Sequence, residues 1–266
     1  MHLGHFAWKQ DGVQSGPWRW VAPFLGAFSN RPDSMPSPLL EILYEDHHCL
    51  AVVKPSGRLS THFDGREETI DRDVKRYLKE KHQKPGNVFL GIVHRLDRPV
   101  SGVLLFARTT KAASRLARQF REGTVEKVYW AVVEGEAGPG AGSLEEWLRK
   151  DKEGGRVEIV EPREKGARLA LTHYQRRARH GGLSLLEMRP QTGRSHQLRV
   201  QLAHHGQPIY GDAKYGSVHT FGCSIALHAR SLTFLHPIHH EPITLNAEVP
   251  REWRGRFAYL FKEVLR

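Results

Sequence analysis

The sequence predicts an α+β fold, with a single domain over residues 38–266 built on a central mixed, largely antiparallel sheet with flanking helices. Three observations predict it. Short apolar segments of strand-like composition recur along most of the chain, bounded by Gly, Pro, Asn or Asp. Helical periodicity appears in only a few, mostly separate stretches. The composition, 39% hydrophobic and 26% charged over 266 residues, suits a soluble globular chain large enough to bury a core.

Residues 1–37 read as an irregular N-terminal extension. Trp8, Trp18, Trp20, Pro17, Pro23 and Pro32 are scattered without a helical or strand period, up to the Pro-Ser-Pro stretch 36–38. From Leu39 the pattern becomes regular. Residues 40–45 and 49–54 read as two strands around an Asp46-His47-His48 turn. Residues 69–82 read as a helix with Ile70, Val74, Tyr77 and Leu78 on one face, its acids early and its bases late, as the helix dipole favours. Residues 88–93 and 103–107 are apolar strands around a polar loop, His94–Gly102. A second helix at 110–121 leads to a strand at 127–134, and residues 137–142 form a glycine-rich loop. Residues 169–179 and 183–189 make a hairpin across Gly181-Gly182. A short helix follows at 195–204, then a glycine-rich loop at 206–217, strands at 225–234 and 243–247, and a C-terminal helix near 251–264. There is no internal repeat.

Composition narrows the function. Forty Lys plus Arg against twenty-nine Asp plus Glu give a net charge of +11, which favours a polyanionic partner because neutralised phosphates release counterions. No stretch approaches the roughly 18 apolar residues of a membrane span, and the N-terminus has no signal-peptide pattern. Only Cys49 and Cys223 are present, too few for a disulfide framework or a cysteine metal cluster, so a cytoplasmic setting is expected.

Two segments carry chemistry. In His94-Arg95-Leu96-Asp97-Arg98-Pro99-Val100-Ser101-Gly102, an acid stands between two arginines in a loop between buried strands. Neighbouring positive charge keeps such a carboxylate ionised, available as a nucleophile or base. The bland alternative is a surface turn with an incidental ion pair. In Gln191-Thr192-Gly193-Arg194-Ser195-His196-Gln197-Leu198-Arg199, a strand passes through a glycine turn into a helix with Ser195 as expected N-cap. Arg194 and His196 beside that N-terminus suit phosphate, and Arg199, one turn inside, reaches toward a carboxylate elsewhere. Here the alternative is a capped helix with a basic solvated face.

The loop 94–102, with its extension Val103-Leu104-Leu105-Phe106-Ala107, closely resembles the HRLDxxTSG signature of the RluA-type RNA pseudouridine synthases. Lys54-Pro55-Ser56-Gly57 resembles the family's first motif and residues 192–199 its third. Glu126-Lys127-Val128-Tyr129, Tyr210-Gly211-Asp212-Ala213-Lys214-Tyr215-Gly216 and Leu227-His228-Ala229 are similar to further family segments, in the family's order. The resemblance spans roughly residues 39–249 and implies a cleft crossing the sheet that carries the catalytic aspartate.

Carried over residue by residue, the resemblance implies that Asp97 is that aspartate and that Arg199 pairs with it. Arg95 is similar to the arginine that enters the RNA stack when the target uridine flips out. Tyr129 resembles the tyrosine that stacks on the flipped base, a candidate proton acceptor at the ring carbon that forms the new bond. Leu198 packs beneath the base, while His94, Arg194 and His196 complete the expected substrate-contacting set. Lys54, Pro55 and His228 are expected to be structural supports. The implied reaction turns the N-glycoside of uridine into a C-glycoside, without redox or group transfer, so no cofactor is expected. The expected partner is ribosomal or transfer RNA, with the protein acting as a monomer.

Val100 stands where the signature usually has Thr, which removes one hydroxyl from the loop. Residues 1–37 resemble no RNA-binding module, an arrangement similar to the smaller, TruC-like members. Two other classes compete. A metal enzyme using His204/His205 or His236/His239/His240 lacks supporting cysteines or an HExxH spacing, so no metal is expected. A catalytically silent RNA-binding protein on the same scaffold would be free to lose Asp97, Tyr129 or Arg199, and all three are present.

Overall fold

Alternation with a period of two decides the middle of the fold. Along the strand Cys49–Lys54, Cys49 and Ala51 enter one apolar cluster and Leu50 and Val52 another. Along Ser101–Ala107, Val103 and Leu105 join the first, Leu104 and Phe106 the second. Strands buried on both faces need a sheet covered on both sides.

The computed structural model describes residues 40–61, 67–135, 138, 140–151 and 155–262, so the expected extension over 1–37 lies outside the described residues. In chain order the elements are β1 (Ile42–Glu45), β2 (Cys49–Lys54), α1 (Ile70–Lys81), β3 (Gly91–Ile92), β4 (Ser101–Ala107), α2 (Thr110–Glu122), β5 (Glu126–Glu134), β6 (Ala141–Lys150), β7 (Val157–Ile159), β8 (Arg168–His180), β9 (Leu183–Pro190), α3 (Gln197–His204), a 3-10 turn (Ala213–Tyr215), β10 (Leu227–Leu235), β11 (Pro242–Asn246), α4 (Arg251–Arg256) and α5 (Ala258–Phe261).

The sheet runs β1, β2, β4, β10, β5, β9, β8, β6, β7, with β3 also paired to β4 and β11 to β10. Among the strands of the described residues only β4 and β10 pair in parallel, so the expected mixed, largely antiparallel sheet is the one found. Gly102 makes that parallel contact feasible: its φ is +118°, and a Cβ there would lie 2.2 Å from the Ala229 carbonyl oxygen. One face is covered by α1 through Ile70, Val74 and Leu78 and by α4 and α5 through Trp253, Phe257, Leu260 and Phe261. The other is covered by α2 through Ala112 and Leu116. Thr109 caps α2 by accepting the Ala112 N–H at 3.3 Å, and Gly123 ends it at φ 74°. Among the described residues no helix is long and apolar enough to cross a membrane.

Several expectations need correction. The apolar run 88–93 pairs only at Gly91–Ile92, with Phe89 and Ile92 largely exposed. Residues 141–142, expected to end the glycine-rich loop, instead open a ten-residue strand, β6, and β7 follows it. The C-terminal helix breaks at Phe257 into α4 and α5. The helix α3 starts at Gln197, and its N-cap is His196, in the left-handed conformation at φ 51°, with no side-chain cap; Ser195 is exposed one residue outside.

Candidate active site

Asp97 lies in the loop between β3 and β4, and the end of β2 holds that loop. Lys54 is fully buried, and its Nζ donates to the carbonyls of Pro55 (2.8 Å), Arg98 (3.1 Å) and Val100 (2.7 Å). Three acceptors match the three N–H donors of an ammonium. Ser60 Oγ accepts the Leu96 N–H at 3.0 Å and donates to the Leu96 carbonyl at 2.7 Å, while the Gly57 N–H donates to the Arg98 carbonyl at 2.8 Å. The main chain is clamped on both sides of Asp97. Val100 is buried in the core, so these backbone bonds hold the loop without the missing hydroxyl.

Arg199 arrives from the other side on α3. Residues 197–202 of this helix are all buried, so its polar side chains need partners inside the protein. Gln197 ties the preceding turn to β8: its Nε2 donates to the Leu171 carbonyl (3.1 Å) and Thr172 Oγ1 (2.9 Å), and its Oε1 accepts from the Arg194 N–H (2.9 Å). The Arg199 guanidinium donates through Nε and one terminal nitrogen to both carboxylate oxygens of Asp212, each at 2.7 Å. Its remaining nitrogen donates to Asp97 Oδ2 at 3.2 Å. Burial works against this charge, but the bonds and charge of Asp212, then those of Asp97, raise its pKa above the ordinary value. His196 Nε2 lies 3.7 Å from the same Asp97 oxygen.

These groups line a cavity of about 160 Å³, together with Tyr129 and Lys127 from β5 and with Leu198 and Leu227. That volume is well below the roughly 300–1,000 Å³ of drug-sized ligand sites, and suits a single ring. Burial first, and then the charge of Asp97, push the Tyr129 phenol up. It is therefore neutral, which suits stacking better than accepting a proton. Burial likewise pushes the Lys127 ammonium down.

Two larger cavities share walls with this one. One, of about 850 Å³, is lined by Arg149, Lys150, Lys165, Arg168 and Arg194; another, of about 440 Å³, by Arg95, Arg98, Lys150 and Lys214. Both are basic and suit the backbone of a polyanion.

Of the eight expected site residues, Asp97, Tyr129, Arg199, Arg95, Arg194, His196 and Leu198 meet at the small cavity. His94 does not. Because β3 ends at Ile92, the Leu105 N–H has no strand partner there and donates instead to His94 Nε2 at 2.9 Å. The His94 ring stacks on Phe120, centroids 4.6 Å apart, and burial pushes its pKa down to about 3. It supports β4 and makes no approach to the cavity. His228 is also a support: it is buried, bonded through Nδ1 to Ser101 Oγ (2.8 Å) and through Nε2 to the Ala247 carbonyl (3.2 Å).

Asp212, Tyr215 and Lys127 lie within the family-like segments 210–216 and 126–129, but the sequence assigns them no role. Asp212 and Tyr215 stand thirteen and sixteen residues after Arg199 in a glycine-bounded loop, and no helical spacing links them. The available signal was an arginine among apolar helix residues, which demands a buried acid.

Asp46, Cys49 and His236 bring candidate ligand atoms within 4.8 Å of one another. Yet His236 Nε2 is bonded to Asp46 Oδ2 at 2.7 Å and its Nδ1 accepts the His239 N–H at 2.9 Å, while burial pushes the Cys49 thiol to about 12. The cluster fastens a turn.

The sequence model of one family, RNA pseudouridylate synthase, matches residues 48–204. The chain is 36% identical to tRNA pseudouridine synthase C of Haemophilus influenzae over 236 residues, covering 81% of this chain and 95% of that protein. It is 33% identical to tRNA pseudouridine synthase C of Yersinia pestis, covering 82% and 89%. It is 36% identical to ribosomal large subunit pseudouridine synthase D of Xanthomonas campestris pv. campestris, covering 80% and 67%. Among solved structures it is similar to human RNA pseudouridylate synthase domain containing 4, with TM-score 0.68, 25% identity, and coverage of 85% of this chain and 93% of that one.

Proposed function

Since this chain belongs to the RNA pseudouridylate synthase family, we propose that it isomerises uridines of structured RNA to pseudouridine, with Asp97 as the catalytic carboxylate. The observation that carries the assignment of Asp97 is its position: a carboxylate in a cavity sized for one ring, bonded to a buried guanidinium. The glycosidic bond from C1′ to N1 breaks and one from C1′ to C5 forms, while C5 loses a proton and N1 gains one. The net change is an isomerisation, for which the chemistry needs no redox partner. An ionised Asp97 serves as nucleophile or base. Tyr129 and Leu198 enclose the flipped base, and Arg95 fills the space it leaves in the stack. Residues 38–266 act as the catalytic domain.

Transfer RNA and ribosomal RNA are the two candidate substrate classes, since the similar proteins include tRNA pseudouridine synthase C and ribosomal large subunit pseudouridine synthase D. The protein is expected to act as a monomer in the cytoplasm. A tritium-release assay on RNA labelled at uridine C5 tests the reading. The native protein releases tritium over many turnovers, and Asp97→Asn binds the same RNA without release. Turnover by purified Asp97→Asn overturns the assignment; native protein that binds RNA without release is instead a catalytically silent RNA-binding protein. Mapping pseudouridines in RNA from cells lacking the protein identifies the substrate.

A further inference from the structure

Tyr215 ends the 3-10 turn that follows Asp212, and its side chain meets three elements at once. Its hydroxyl oxygen accepts the backbone N–H of Val157 on β7 at 3.0 Å. It lies 2.7 Å from Nδ1 of His196. Its ring lies beneath the Arg199 guanidinium, 5.1 Å from centroid to Cζ. It is buried among Leu148, Val157, Ala170 and Val200.

The hydrogens in this chain follow from what each atom offers. An amide N–H only donates, so Val157 occupies an acceptor position of the phenolic oxygen. The phenol keeps its own hydrogen, since burial pushes the Tyr215 pKa up. His196 Nδ1, 2.7 Å away, is the acceptor for that hydrogen when it carries a lone pair. The single proton of the neutral imidazole is left on Nε2, the atom 3.7 Å from Asp97 Oδ2. His196 adopts φ 51°, ψ 17°, a left-handed conformation that costs a non-glycine residue about 1 kcal/mol and is retained where the surroundings fix it.

We propose that Tyr215 is a positioning residue for the isomerisation: its hydroxyl holds His196 as the neutral, Nε2-protonated imidazole facing Asp97, and its ring seats Arg199, which donates to the same carboxylate oxygen. The inference rests on the pseudouridine synthase reading for its catalytic consequence, but not for its geometry. A neutral N–H beside Asp97 orients the carboxylate without offering it an acidic proton. An imidazolium at that place would compete with the substrate for it. The charged and titratable groups facing His196 are Asp97 from the loop before β4, Arg199 from α3, and Asp212, Lys214 and Tyr215 from the 3-10 turn. Burial lowers the His196 pKa and the charge of Asp97 opposes this.

Two measurements on the full-length chain test the proposal. Nitrogen chemical shifts of ¹⁵N-histidine-labelled native protein read the tautomer directly: His196 shows an unprotonated Nδ1 and a protonated Nε2. A protonated Nδ1 at neutral pH overturns the proposal whatever the enzyme does. Tyr215→Phe keeps the ring and removes the hydroxyl. Its RNA affinity at fixed salt stays within about twofold, its kcat falls about tenfold, the order expected for one hydrogen bond, and the acid limb of its kcat profile moves to higher pH. With no donor at Nδ1, His196 takes a proton more readily. In a His196→Gln background the same change leaves the acid limb in place, because no imidazole titrates there. A Tyr215→Phe enzyme with native kcat and native pH profile overturns the proposal. Failure of the reaction reading appears separately, as turnover by Asp97→Asn with the His196 tautomer unchanged.

Discussion

Arg199 is bound more closely to Asp212 than to Asp97: two of its nitrogens reach Asp212 at 2.7 Å and one reaches Asp97 at 3.2 Å. Asp212 is the anchor, and the third nitrogen is what the guanidinium presents to the reacting carboxylate. Asp212→Asn should therefore impair catalysis without touching substrate. The expected loss in kcat is about ten- to hundredfold, the size of one charge-assisted hydrogen bond, with RNA affinity little changed. Arg199→Ala leaves Asp212 buried and unpaired, so it should also cost about 3–5 kcal/mol of stability. Single-turnover kinetics and thermal melts separate the two effects. An Asp212→Asn protein with native kcat would sink the anchoring role.

Lys54 offers a test of the loop clamp. In Lys54→Met the carbonyls of Pro55, Arg98 and Val100 lose their shared donor, at a cost of about 3 kcal/mol or more. For a chain of this size that lowers Tm by roughly 6 °C or more. Lys54→Arg should not rescue it, because a planar fork cannot serve three carbonyls converging on one ammonium. A Tm within a degree or two of native would contradict the clamp.

Stability should fall with acid through His228. Burial depresses its pKa from the ordinary 6.5 to about 4, so it stays neutral in the fold while the unfolded chain binds a proton below about pH 6.5. Its contribution is intact above pH 6.5 and is lost progressively as pH drops toward 4, on the order of 3 kcal/mol in all. His94 acts in the same direction. Thermal melts between about pH 7.5 and 4 check this, and His228→Asn should show a shallower fall from a lower starting Tm. Equal slopes for the two proteins would rule out His228 as a source.

RNA affinity should be steeply salt-dependent. With about six phosphate contacts from the basic cavities, raising salt from roughly 50 to 200 mM should weaken binding about a thousandfold. Replacing Lys150 and Arg168 together by Gln should lower the magnitude of the log–log slope by about 2, since both line the cavity of about 850 Å³. An unchanged slope would place the RNA elsewhere.

The central strands were legible because their side chains obey the period of the sheet, as Leu50 and Val52 do against Cys49 and Ala51. Asp97, Arg199 and Tyr129 were legible from motif resemblance rather than from spacing. Strand β6 was not legible, because its buried face includes Glu146 between Leu144 and Leu148. That acid is tolerated only because Gln201 Nε2 and His205 Nε2 reach it at 2.6 and 2.7 Å, partners more than fifty residues away in the chain. The start of α3 was misjudged for a similar reason. Ser195 has the composition of a cap, but the turn is fixed by the Gln197 side chain and by the left-handed His196.

Asp97 enters on the loop before β4 and Tyr129 stands on β5, with β10 alone between those two strands. Two strand-to-strand steps of about 4.8 Å separate β4 from β5. A ladder of backbone hydrogen bonds is a stiffer ruler than any arrangement of rotamers. Where Gly102 presses against Ala229, the ruler has no slack, since a single added methyl group would collide at 2.2 Å and pry the strands apart. The spacing of β4 and β10 thus depends on one residue that carries no functional group.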